Sequence, residues 1–348
     1  MLNEFNQIPA GLLDLRADQL QAVLDRPTLI HLPGRRPEPL FVSVLLHGNE
    51  TTGWDAIRQL LRQYAPGGGP LPLPRALSLF IGNVVAAARK VRRLEGQPDY
   101  NRVWPGCEED SFAGDTPEHA LMRRLVAIMA GRRVFASIDI HNNTGLNPHY
   151  ACVNRLDNRH LQLAALFGRT LVYFTRPCGV QSIAMARLCP AVTLECGKTG
   201  QSLGAEHAMN YLNAALHLSE LPNHPVAPQD IDLFHTVAIV KVPPEVHFSF
   251  DAPGADLDFP GDLERFNFRE LPEGTLLACA KGGSIPLSVR DERDRDVTAH
   301  YLQAAHGEIL TRRPLMPSML TTDPNAVRQD CLCYFMERYQ SHLPRELG

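Results

Sequence analysis

The chain has 348 residues, 44% of them hydrophobic and 21% charged, with a formal net charge of -4. Those values describe a globular protein with a real core, and the length favours a main domain with a smaller one appended. No basic cluster exceeds the short run Arg89-Lys90-Val91-Arg92-Arg93 and no stretch approaches the roughly 18 apolar residues that cross a bilayer, so nucleic-acid and membrane partners are excluded.

Residues 1–20 carry acids and lack an apolar run behind a positive segment, which argues against a secretory signal and for a cytoplasmic protein. The eight cysteines show one close pair, Cys331 and Cys333, and no repeated pairs of a structural zinc site. All eight are expected to be mostly buried thiols.

In chain order, residues 41–46 read as an interior parallel strand and 53–64 as a helix that Thr51 or Thr52 can cap. A strand over 77–81 follows, then an irregular, arginine-rich passage over 83–116. Residues 118–129 form an amphipathic helix, with Leu121, Leu125 and Ile128 on one face. Strands are expected over 134–140, 170–174 and 191–194, with helices over 158–168 and 203–218. This alternation indicates an α/β sheet covered on both faces, with function at the carboxyl ends of its strands. After the Pro-containing stretch 221–225, short runs such as 236–240, 246–250 and 274–278 suggest a mostly β domain. The expected division is therefore 1–225 and 226–348.

His47-Gly48-Asn49-Glu50 directly follows the first of these strands. An imidazole and a carboxylate three positions apart can close on one cation, and His141, ending the strand over 134–140, offers a third ligand. A His2Glu set with an open position is a catalytic zinc arrangement. Asp139 could accept the other ring proton of His141 and fix the ring. Taken singly, a histidine at a strand end is more often a polar cap, and HxxE occurs by chance; their conjunction carries the signal. His119, His207, His217 and His235 have no such context and read as ordinary surface or core residues.

The attacking water needs a proton acceptor, and Glu195, at the end of the strand over 191–194, is the candidate. The plain alternative is a structural carboxylate paired with Lys198. Residues 197–200 lack the spacing of a phosphate loop. In the irregular segment, Arg102 offers a permanently charged fork for a carboxylate or an oxyanion, and Asn101 an amide to orient substrate.

Together, residues 47–53, Asp99-Tyr100-Asn101-Arg102, residues 139–144 and Leu194-Glu195-Cys196-Gly197 resemble the succinylglutamate desuccinylase/aspartoacylase family of zinc carboxypeptidase-like hydrolases. The fragments keep the family order over most of residues 40–220, and residues 271–276 are similar to its β-rich carboxyl-terminal domain. The resemblance implies a zinc-carboxypeptidase-like mixed sheet flanked by helices and one Zn2+ per chain on His47, Glu50 and His141. It further implies Glu195 as general acid/base and Asn101 and Arg102 at the substrate. An arginine several residues before the Asn-Arg pair is also implied, and Arg93 fits with one extra loop residue. Two departures bear on the substrate: Gln181 stands where an arginine is expected, with Arg187 at a different spacing, and His306 stands near an expected tyrosine.

The function expected is hydrolysis of an amide bond in a small carboxylate-bearing substrate, such as an N-acyl amino acid, with acetylaspartate and succinylglutamate poor substrates. The alternatives are a metallocarboxypeptidase acting on a short peptide or cell-wall fragment and a noncatalytic binding protein. The appended domain would narrow the entrance in the deacylase. A homo-oligomer is left open.

Overall fold

The computed structural model describes residues 2–65, 71–106, 115–250 and 252–339. The chain divides into two compact units. The first comprises Met1–Asn143, His149–Leu171 and Pro177–Ile231; the second comprises Thr144–Pro148, Val172–Arg176 and Asp232–Gly348.

The first unit contains strands β1 (Asn3–Phe5), β2 (Thr28–Leu32), β3 (Gly34–Val44), β4 (Leu73–Ile81), β5 (Ala136–Asn143) and β6 (Tyr150–Val153). The chain passes between units within β7 (Thr170–Tyr173) and returns to the first for β8 (Ala191–Lys198). The strand order there is β1-β2-β4-β3-β5-β8-β6. The central four, β4, β3, β5 and β8, are mutually parallel, whereas β2 and β6 run antiparallel to their inner neighbours. β3 is buried from Leu40 onward, as a strand with parallel neighbours on both sides and helices over both faces requires.

Successive residues of β3 serve opposite faces. Phe41 joins Leu29, Phe80, Trp104, Leu125 and Met129 in one apolar cluster beneath α3 (Pro117–Ala130). Val44, with Ile140, meets the start of α1 (Thr52–Gln63), which packs against α6 (Ser202–His217). α3 begins with the Thr116 hydroxyl accepting from the His119 backbone and His119 reaching back, so His119 closes a capping box. Thr51 makes no such side-chain bond for α1; the Thr52 N–H instead donates to Asn142 Oδ1 of β5 at 3.2 Å.

Two strands outrun their expected ends. β5 continues through His141 to Asn143 and β8 through Glu195 to Lys198, with His141 opposite Glu195 in the ladder. The polar residues there satisfy the ladder through their backbones, which side-chain polarity does not reveal.

In the second unit, β9 (Asp232–Lys241) pairs antiparallel with β13 (Ser288–Asp291) and β17 (Cys333–Arg338), and β17 with β16 (Met316–Ser318). A separate five-stranded sheet runs in the order β10 (Phe248–Ser249), β11 (Leu257–Asp258), β12 (Leu276–Ala280), β15 (Glu308–Thr311), β14 (Leu302–Ala305). Val240 and Phe335 from the first of these groups and Leu257 and Ile309 from the second share one apolar core in this unit. The carboxyl-terminal part is thus β-rich, as its short, punctuated apolar runs imply.

Among the described residues no helix is long and apolar enough to cross a membrane. The cysteines depart from expectation. Cys152, Cys189, Cys196, Cys331 and Cys333 are buried free thiols, but Cys279 is exposed and Cys178 is disulfide-bonded. Cys107 lies outside the described residues.

Candidate metal centre and active site

β3 ends at Val44, and the chain leaves it through Leu45, a buried non-glycine residue at φ 57°. That left-handed turn is strained for a leucine. It is held where Gly82 N–H donates to the Val44 carbonyl and Asn83 N–H to the Leu45 carbonyl. The next residues run close to α2 (Val84–Ala88): a Cβ on Gly48 would lie 2.3 Å from the backbone of Ala86 and Ala87. The glycine of His47-Gly48-Asn49-Glu50 is therefore a packing requirement of the loop that presents both side chains.

His47, Glu50 and His141 converge, with one ligand atom from each within 4.8 Å of the others, and all three are buried. The two oxygens of Glu50 are divided between the histidines: Oε1 lies 2.8 Å from His47 Nδ1 and Oε2 2.6 Å from His141 Nδ1. Both rings thus turn Nδ1 toward the same point and Nε2 away from it. His47 Nε2 meets Asp99 Oδ1 at 2.9 Å, and His141 Nε2 meets Asp139 Oδ2 at 2.8 Å. Asp139 in turn accepts from the Ser43 hydroxyl at 2.7 Å. Carboxylates behind both imidazoles fix the rings and raise their basicity.

Asn142 ties the ligands to the framework. Its N–H donates to Glu50 Oε2 at 3.2 Å, its Oδ1 receives Thr52 N–H, and its Nδ2 donates to the Gly197 carbonyl at 2.9 Å. One buried amide therefore joins β5, the Glu50 loop with α1, and β8.

The electrostatics express a demand for positive charge. Burial and Arg92 oppose a charged His47, yet Asp99 and Glu50 together hold its pKa above the usual imidazole value. Burial is likewise outweighed at His141, where Asp139 and Glu50 hold the pKa well above that value. Burial would raise the Glu50 pKa, but the two histidines hold it far below the carboxylate range. A divalent cation meets the same demand while leaving both imidazoles neutral. Two imidazole nitrogens and one carboxylate form a donor set that fits zinc.

Glu195 lies on β8 beside His141 on β5. It is buried, and burial pushes its pKa up to about 7; Glu50 pushes the same way, while His141 and Asn143 pull it down. Asn143 Nδ2 approaches Glu195 Oε2 at 3.5 Å. A carboxyl that exchanges its proton near neutrality can both take and return one.

The remaining expected residues divide. Asn101 is buried, its Nδ2 3.1 Å from His141 Nε2 and its Oδ1 accepting the Gln181 N–H at 2.9 Å. Arg102 is half-buried, and its Nη1 donates to the Asn101 carbonyl at 2.8 Å. Its backbone runs against Gly179, where φ is 74° and a Cβ would lie 2.3 Å from the Arg102 carbonyl oxygen. Arg93 turns to the Gln97 carbonyl at 2.7 Å. It is Arg92 that reaches the ligands, with Nη2 3.0 Å from Asp99 Oδ2 and Nη1 3.5 Å from Glu50 Oε1.

Gln181 opens the short helix α5 (Gln181–Met185), is fully buried, and donates from Nε2 to Ser137 Oγ at 2.7 Å. Ser137, Asp139 and His141 are every second residue of β5 and share one face, so Gln181 packs on the face that carries the ligand, four residues before it along the strand. Arg187 is exposed and donates to the Gly106 carbonyl. His306, also exposed, forms the turn between β14 and β15 at φ 52°. His207 packs at a tilt against Phe167 and bonds its carbonyl, His217 bonds the Asn213 carbonyl and His235 pairs with Glu292. Every member of the ligand and Glu195 constellation belongs to the first unit.

A mixed α/β sheet with a candidate metal centre at the ends of adjacent parallel strands defines the class of the chain. The profile of the succinylglutamate desuccinylase/aspartoacylase catalytic domain matches residues 39–221, over half of its length. The chain belongs to this family, whose members are hydrolases. Succinylglutamate desuccinylase of Shewanella frigidimarina is 22% identical over 304 residues, covering 80% of this chain and 84% of that one. The structure of the Chromobacterium violaceum succinylglutamate desuccinylase matches with a TM-score of 0.56 at 20% identity, over 89% of this chain and 87% of that one. Murine aminoacylase 3 matches with a TM-score of 0.54 at 14% identity, over 87% and 96% respectively. At these identities the structural likeness speaks for the fold.

Proposed function

We propose that the chain is a zinc-dependent deacylase that cleaves the amide bond of a small carboxylate-bearing N-acyl amino acid. The observation that carries this reading is the convergence of His47, Glu50 and His141 on one point, with Glu195 on the neighbouring strand. Zinc on those three ligands would polarise the scissile carbonyl and acidify water. Glu195 takes a proton from the attacking water as the C–O bond forms and delivers one to the nitrogen as the C–N bond breaks. The amine and the free acid leave with atoms and charge balanced. Asp99 and Asp139 hold the imidazoles, and Asn101 serves the site through His141 and the Gln181 backbone.

The test is metal analysis and a hydrolysis panel of N-acyl amino acids and short peptides. One zinc per chain with turnover of acyl-amino acids is expected. Metal well below one per chain after metal-replete purification, with no hydrolysis, overturns the reading; preference for peptides favours a metallocarboxypeptidase. Acetylaspartate and succinylglutamate belong in the panel and are expected to be turned over poorly, since Gln181 stands where the family carries an arginine.

Arg102 is the substrate group. Arg102→Lys keeps the charge and loses the planar two-pronged fork. A rise in KM of about 10-fold or more with little change in kcat is expected if it binds the substrate carboxylate in the ground state. Equal losses in kcat and kcat/KM would assign it to the oxyanion, and wild-type kinetics would remove it from the site.

A further inference from the structure

Arg92 closes a ring of contacts around one metal ligand. Glu50 Oε1 meets His47 Nδ1, His47 Nε2 meets Asp99 Oδ1, and Asp99 Oδ2 accepts from Arg92 Nε at 3.2 Å and Nη2 at 3.0 Å. Arg92 Nη1 then returns to Glu50 Oε1 at 3.5 Å. Its carbonyl also accepts the Gly48 N–H at 3.0 Å, so backbone and side chain both hold the ligand loop. Around the imidazoles stand three carboxylates, on Glu50, Asp99 and Asp139, with Arg92 beside two of them; buried Glu195 on the next strand, ionised as the base, and Arg102 near Asp99 add one charge of each sign. With neutral imidazoles the formal sum is four negative charges against two positive. A divalent ion brings it to zero.

We propose that Arg92 sets this balance: it weakens the hold on the metal ion and in exchange leaves the filled site neutral toward a carboxylate-bearing substrate. Two effects act in the same direction. A guanidinium sharing Glu50 Oε1 repels a cation bound there, in surroundings where charges are poorly screened. Pairing with Asp99 also withdraws the negative charge that makes His47 a better donor. Support for the Asp99 geometry survives without Arg92, because Asp99 Oδ1 also accepts the Asn101 N–H at 2.7 Å. Without Arg92 the filled cluster would carry one net negative charge against an incoming carboxylate.

This inference rests on His47, Glu50 and His141 being the metal ligands, and a charge cycle tests it. Zn2+ affinity of the full metal-stripped chain would be measured by competition with a chromophoric chelator for wild type, Arg92→Gln, Asp99→Asn and the double variant. Arg92→Gln should bind Zn2+ about 10-fold or more tighter, Asp99→Asn about 10-fold or more weaker, and the double variant close to wild type. Arg92→Lys, which keeps the charge, should stay near wild type. If Arg92 only braces the loop, both single variants bind more weakly and the double is no better than the worse; that result overturns the proposal. So does unchanged affinity in Arg92→Gln. Should that variant fail to fold, wild-type affinity in Asp99→Asn alone overturns it. As a second readout, Arg92→Gln should raise KM for an anionic acyl-amino acid more than it lowers kcat. A wild-type chain that binds no Zn2+ would instead defeat the functional reading.

Discussion

Glu195→Gln is expected to lower kcat by about 100-fold or more, roughly 2.7 kcal/mol of barrier, while the protein still binds one metal ion per chain. The substitution keeps shape and volume on β8 and removes only the capacity to exchange a proton. Glu195 is not among the three converging ligands, so occupancy should not change. The acid limb of the pH–rate profile should change with it. Burial and Glu50 raise the Glu195 pKa to about 7, and a bound cation nearby pulls it back down. Because the base must be deprotonated to accept the water proton, kcat/KM should rise with pH along a limb centred at or below about 7. That limb should vanish from the residual activity of Glu195→Gln. Unchanged turnover, or an unchanged limb, would remove Glu195 from the mechanism.

What the sequence discloses about this site follows the distance over which each relationship acts. His47 and Glu50 come from one loop, so their spacing is written locally, and the parallel register of β3 with β5 brings His141 alongside. The same logic places Glu195, since β8 follows β5 in the sheet. Arg92 was not legible. Arg92 and Arg93 are equivalent in composition, and only the turn that joins Arg92 O to Gly48 N decides which one faces the ligands. Asn142 was not legible either: its three partners lie on three separate segments, and no spacing announces an amide that bridges them. Gln181 shows the converse. The sequence marks it only as standing where an arginine is expected, whereas the fold buries it against Ser137 on the face of β5 that carries His141.

The difference in melting temperature between metal-loaded and metal-stripped protein is expected to widen as pH rises from about 6 to 9. The sign follows from the ligands. In the stripped protein the His141 pKa stands well above its ordinary 6.5, because Asp139 and Glu50 outweigh burial, and His47 is raised as well. A raised pKa contributes stability that is fully present below the unfolded value and is lost as pH climbs through the folded one. The stripped centre therefore weakens toward alkaline pH as it gives up the protons that compensate Glu50, Asp99 and Asp139. A metal ion binds the deprotonated rings, so its stabilising effect grows over the same interval and its binding releases protons. His141→Ala should lower metal affinity by more than about 100-fold, beyond the usual effect of losing a supporting residue, and leave little separation between the two melting curves. Differential scanning calorimetry with and without chelator, across that pH range, measures both. A separation that is constant with pH or widens toward acid would mean that His47 and His141 do not lose protons to the metal, and the ligand assignment would fall.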